Sequence, residues 1–144
     1  MAARRHALLA AAILALAGAL PAAAQAATAC PSQDFKAFYA AFADSTEVQR
    51  AFTARPLASD TIDAAADPEP RTVTTMLDGA ALTFPVLPTA AERKRVQLET
   101  RIATLSAAEV EVTLAVADTD QQLRFLFRKA AACWELYRMA DDSL

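Results

Sequence analysis

The sequence predicts an α+β protein, with helices near the N-terminus packed on an antiparallel sheet that ends in a three-stranded meander. Three observations carry that prediction. Phe35, Phe38, Tyr39 and Phe42 fall at the i, i+3, i+4, i+7 spacing of one helical face. In the last third, apolar and polar residues alternate through three successive segments, the pattern of strands with one buried face. The chain also has only 2 cysteines, one ahead of the aromatic stripe and one at the start of the last alternating segment.

The chain opens as MAARRHALLAAAILALAGALPAAAQA: a basic start at Arg4 and Arg5, an apolar run from Ala7 to Leu20, then the small residues Ala24-Gln25-Ala26. That order is a secretory signal peptide over residues 1–26, cut after Ala26 or, alternatively, Ala24. The apolar run is shorter than the roughly 20 residues that span a bilayer, and no charged stop-transfer cluster follows it. Twin-arginine export fits poorly because His6 and Ala7 follow the arginine pair, and lipid anchoring at Cys30 fits poorly because Ala27-Thr28-Ala29 lacks a large aliphatic residue. Cleavage leaves 118 of the 144 residues, 27–144, enough for one domain with a core. Of the 14 basic residues, 12 remain against 17 acidic, a net charge of −5 that argues against a nucleic-acid partner. No later apolar run reaches membrane-spanning length, so the expected location is the periplasm or the medium. In an oxidising compartment two cysteines pair, and Cys30–Cys133 is the expected disulfide.

Ser32 is the expected N-cap of the aromatic helix, and a second short helix over Thr46 to Phe52 follows a break at Asp44-Ser45. Arg55-Pro56-Leu57 ends that segment, and 58–70, ASDTIDAAADPEP, reads as an exposed loop. RTVTTMLD (71–78), the turn signal Asp78-Gly79 and ALTFPVL (81–87) read as a hairpin. Thr89 and Glu92 form a capping-box pattern, and Ala91, Arg95, Leu98, Ile102 and Leu105 continue at helical spacing, so a helix is expected over 89–105 although Val96, Leu98 and Thr100 also alternate. Arg93-Lys94-Arg95 reads as a solvated face of that helix. The meander follows: Val110 to Val116, Leu123 to Phe127 and Trp134 to Leu136, joined at Asp118-Thr119-Asp120 and Lys129 to Ala132.

Little catalytic chemistry is available. His6 and Gly18 fall within the signal segment, leaving no histidine and only Gly79, which excludes histidine-based nucleophile pairs, histidine-rich metal sites and glycine-rich phosphate loops. Asp118-x-Asp120 lacks the glycine and closing glutamate of a calcium loop. No cofactor and no metal site is expected.

Phe35, Phe38 and Phe42 with Asp44, then Gln49, Phe52 and Pro56-Leu57, and at the other end Phe125-x-Phe127, Cys133-Trp134-x-Leu136 and Asp141-x-Ser143, resemble secreted bacterial domains of unknown function in the nuclear transport factor 2-like superfamily. That resemblance implies a cone-shaped α+β fold with N-terminal helices on a curved antiparallel sheet, Trp134 with its ring in the core, and Cys133 locking the last strand to the leading end of the first helix. Alternation sets Cys133 on the face opposite Trp134, so the bridge needs a sheet edge or a bulge. Phe38, Tyr39, Phe42, Phe125 and Trp134 are the residues expected to line any cavity in the cone. The expected function is non-enzymatic binding of a small apolar ligand or a protein partner. The alternative is an isomerase- or hydrolase-like enzyme using Tyr39 with Asp34 or Glu99 as base, and it requires a buried acid within hydrogen-bond reach of Tyr39.

Overall fold

The computed structural model describes residues 27–143; the signal peptide expected over 1–26 lies outside the described residues. Helices α1 (Phe35–Asp44) and α2 (Thr46–Ala51) come first, then strands β1 (Thr53–Asp63) and β2 (Arg71–Leu77), a 3-10 turn at Gly79–Ala81, and helix α3 (Ala90–Arg95). Strands β3 (Leu98–Ser106), β4 (Glu109–Val116), β5 (Gln122–Ala130) and β6 (Cys133–Asp141) complete the chain. All six strands form one curved, unclosed sheet in the order β2-β1-β6-β5-β4-β3. Every pairing is antiparallel except β1 with β6, which run parallel.

Helix α1 is capped by Asp34, whose carboxylate accepts from the Ala37 N–H, and not by Ser32, whose hydroxyl instead accepts from the Asp34 N–H. Ser45 both ends α1 and caps α2 through the Val48 N–H, which produces the expected break. The aromatic face of α1 rests on the sheet: Phe38 and Phe42 are fully buried, and Phe127 of β5 meets Phe35, Phe38, Tyr39 and Phe42 edge-on at 5.2–6.3 Å between ring centres. Rings at these separations and tilts place positive edges against negative faces. Val110, Val112, Leu114, Leu57 and Leu136 close the same core.

Three expectations fail between residues 58 and 105. Residues 58–63 are strand, not loop: Leu57 to Asp63 pair with Leu77 to Arg71, and the turn is confined to 64–70. Small polar residues have poor strand propensity, but β1 lies between two partners, and the backbone ladder on both sides outweighs it. The predicted hairpin partner of β2, residues 81–87, pairs with nothing in the sheet, since Pro85 lacks an N–H for a ladder. This strap is held instead by Gln49, 1% exposed, whose Oε1 accepts from the Val86 and Leu87 N–H groups at 2.8 and 3.4 Å while Nε2 donates to Leu87 O at 3.4 Å. The helix expected over 89–105 keeps its capping box but stops at Arg95; Gln97 turns the chain at φ 56°, and the alternating residues from Leu98 onward form β3.

The Cys30–Cys133 disulfide is present, with Cα atoms 5.6 Å apart. Cys133 is the first residue of β6, directly after the Ala131-Ala132 turn, so Cys30 reaches it round the end of the strand, without a lateral edge or a bulge. The arm carrying Cys30 is fastened twice more: Gln33 Nε2 donates to Ala132 O, and Trp134 Nε1 donates to Gln33 O at 3.0 Å.

Candidate functional site

The sheet has two chemically different faces. On the outer face, Arg124 bridges Glu111 and Asp142, Arg128 pairs with Glu135 at 2.8 Å, and Arg138 pairs with Asp60, which also accepts from the Thr74 hydroxyl at 2.6 Å. Hydrogen bonding to Arg124 holds the Asp142 carboxyl below its ordinary pKa, and that same bond raises the guanidinium's. Burial, assisted by the neighbouring Glu109, raises the Tyr137 phenol, which donates to Glu109.

The inner face is covered by α1 at one end and by the strap at the other. Between strap and sheet lies a cleft of about 240 Å³. Its floor is Leu123, Phe125 and Met139 of the sheet, with Val86 of the strap above them; its polar groups are Ser59, Thr61 and Asp141. A bulge brings these together. Phe127 faces Leu136 and Leu126 faces Arg138, so Tyr137 is an extra residue in β6 and the alternation reverses beyond it. Met139 and Asp141 therefore turn inward beside Phe125 and Leu123, while Arg138 turns out to meet Asp60. Ser59 and Thr61 arrive from the other side, paired with Met139 and Asp141 across the parallel β1–β6 junction. A broader recess of about 440 Å³ lies on the far side of Val86 and Leu123, rimmed by Glu92, Arg95 and Gln121.

Of the five aromatic residues expected to line a cavity, only Phe125 contributes to the cleft. Phe38, Tyr39 and Phe42 fill the core at 0%, 6% and 0% exposure. Trp134 is buried against Phe35, edge-on at 5.0 Å, with Lys129 Nζ 5.3 Å from its ring centre, and borders a separate recess beside the disulfide. Among the described residues Tyr39 Oη is buried without a hydrogen-bond partner; Thr100 lies near enough to favour its ionised form but makes no bond of ordinary geometry. Burial raises the Tyr39 pKa, with Arg93, whose guanidinium carbon lies 5.9 Å from the ring centre, opposing the shift. Neither proposed base joins it: Asp34 caps α1, and Glu99 is an exposed partner of Arg101 at 3.7 Å. Among the described residues no group of three His, Cys, Asp or Glu side chains is placed to hold a metal, and no helix is long and apolar enough to cross a membrane.

Helices packed inside an open, curved six-stranded sheet define a cone-shaped α+β protein. A solved nuclear transport factor 2-like protein from Bacteroides fragilis shares this architecture, with a TM-score of 0.54 and 20% identity over 81% of this chain and 50% of that one. The chain thus has the nuclear transport factor 2-like fold and spans half the length of that solved protein. No protein-family model and no curated protein matches the sequence.

Proposed function

We propose that this chain is an exported, non-enzymatic binding domain that holds a small apolar ligand in the cleft beneath the strap. The observation that carries the reading is the union of an apolar lining, Val86, Leu123, Phe125 and Met139, with a few polar groups at one side, Ser59, Thr61 and Asp141. That combination is the usual composition of small-molecule sites, in which apolar contact supplies affinity and sparse polar groups fix orientation. At about 240 Å³ the cleft lies below the roughly 300–1,000 Å³ of drug-sized sites, which favours a small ligand. Asp141 adds a carboxylate suited to a hydrogen-bond donor or cationic group at the ligand's polar end. The disulfide supports an oxidising compartment, the periplasm or the medium, with residues 1–26 as the export signal. The experiment is mass spectrometry of small molecules released on denaturing the natively purified protein and a Ser59→Phe variant, which fills the cleft from its half-exposed rim. A compound carried by the wild type and absent from the variant is expected. The same compound at equal occupancy in both would place binding elsewhere, and none from wild-type protein purified from its own compartment would remove the support for a ligand.

A further inference from the structure

Strand β3 is an outer strand of the sheet, and all of its nine residues except the half-buried Leu98 are exposed. Its backbone polarity follows from its neighbours. In the β4–β5 hairpin the Val116 N–H donates to Gln121 O and the Lys129 N–H donates to Ala108 O, so the even-numbered residues of β4 direct their backbone groups to β5. The odd-numbered residues of β4 then bond Glu99, Arg101 and Ala103 of β3. Leu98, Thr100, Ile102 and Thr104 are left with N–H and C=O groups pointing away from the sheet. Natural edge strands are usually blunted by proline, charged side chains or a bulge; 98–104 has no proline and no bulge, its two charges, Glu99 and Arg101, are of opposite sign, and Ile102 is 40% exposed.

We propose that β3 pairs antiparallel with β3 of a second copy of this chain, about a two-fold axis through Thr100. Only registers that set even residues opposite even residues bring the free backbone groups together. Centred on Thr100, Leu98 faces Ile102 of the second copy, and Glu99 faces Arg101, each pair occurring twice. The Glu99–Arg101 pairs fall at the non-hydrogen-bonded positions, where opposed side chains are closest. Moving the axis to Glu99 or Arg101 sets like charges opposite each other, and moving it to Ile102 sets Arg101 against Ala103 and Glu99 against Leu105. Within one chain Glu99 and Arg101 touch only at 3.7 Å with side chains 57% and 75% exposed, a weak contact that is readily exchanged. The opposite edge, β2, has Arg71 as its one charged residue and no complement to it.

Sedimentation velocity over a concentration series tests the register. Wild-type protein should form a dimer. Glu99→Arg and Arg101→Glu should each weaken dimerisation at least about ten-fold by creating two like-charge pairs, and the double exchange Glu99→Arg/Arg101→Glu should restore it. Thr100→Pro, which removes an outward N–H that no bond among the described residues uses, should give monomer with an unchanged far-ultraviolet circular dichroism spectrum. Wild-type protein that stays monomeric to its solubility limit overturns the proposal. So does a dimer indifferent to the single exchanges, or one that the double exchange fails to restore.

Discussion

Replacing Gln49 with leucine tests how the strap, and with it the cleft, is held. The side chain is 1% exposed and serves three backbone groups of 86–87, one at 2.8 Å and two at 3.4 Å. Leucine keeps the volume and removes all three partners. Leu87 is fully buried, so its N–H and C=O lose their bonds without access to water, while the Val86 N–H is only partly shielded. At roughly 1–3 kcal/mol for a buried group left unpaired, and allowing for the length of two of the bonds, the loss is about 2–4 kcal/mol. With a urea slope of about 2 kcal/mol per molar, the unfolding midpoint should fall by roughly 1–2 M. Amide exchange should also become faster at Val86 and Leu87 before the rest of the sheet. Gln49→Glu isolates the donor, since its carboxylate still accepts from Val86 and Leu87 but has nothing to offer Leu87 O. Its deficit should shrink as pH falls and the carboxyl gains a proton. A midpoint within about 0.3 M of wild type for Gln49→Leu, with unchanged exchange at 86–87, would refute the assignment of Gln49 as the strap's anchor.

Three further outcomes follow from the same geometry. Purified protein should contain no free thiol and, on reduction or Cys133→Ser substitution, lose about 4–5 kcal/mol of stability, because the bridge joins residues 103 positions apart; intact mass and paired thermal melts measure this, and an unchanged melt would remove the bridge's structural role. Trp134→Ala should cost about 3–5 kcal/mol through loss of the ring packed on Phe35, whereas Trp134→Phe, which mainly abandons Gln33 O, should cost about 1 kcal/mol; equal losses in denaturant melts would contradict the division. Asp142 has its folded-state pKa lowered by Arg124, so its contribution to stability is present above the ordinary carboxyl value of about 3.9 and disappears as pH falls through the lowered folded value; Asp142→Asn should flatten that part of the stability–pH curve, and an identical acid limb in both proteins would show the pair to be inert.

The two ends of the fold were legible because their patterns are periodic and agree with their surroundings. Phe35 to Phe42 follow one helical face, and Val110 to Val116 and Leu123 to Phe127 alternate through strands with one buried side. The middle was misread where local propensity disagrees with tertiary pairing. Ser59, Asp60 and Thr61 look like a loop until strands flank them on both sides, and Asp60 is tolerated at 7% exposure only because Arg138 and Thr74 meet it. The cleft escaped detection for a different reason. Alternation counted from Trp134 sets Arg138 and Ala140 inward; the extra residue at Tyr137 substitutes Met139 and Asp141, and no glycine or proline marks it. The Ala131 turn, at φ 48°, likewise lacks the glycine or asparagine that ordinarily signals such a backbone.

Strand β6, the last of the described strands in chain order, lies in the interior of the sheet, between β1 and β5. Until Cys133 to Asp141 are in place, the β1–β2 hairpin has no backbone ladder to the β3–β4–β5 meander. Formation of the complete sheet must therefore wait for residues 133–141, with the cost of closing a loop from β1 to β6 incurred in that step. A chain built this way keeps an incomplete sheet while residues 133–141 are withheld.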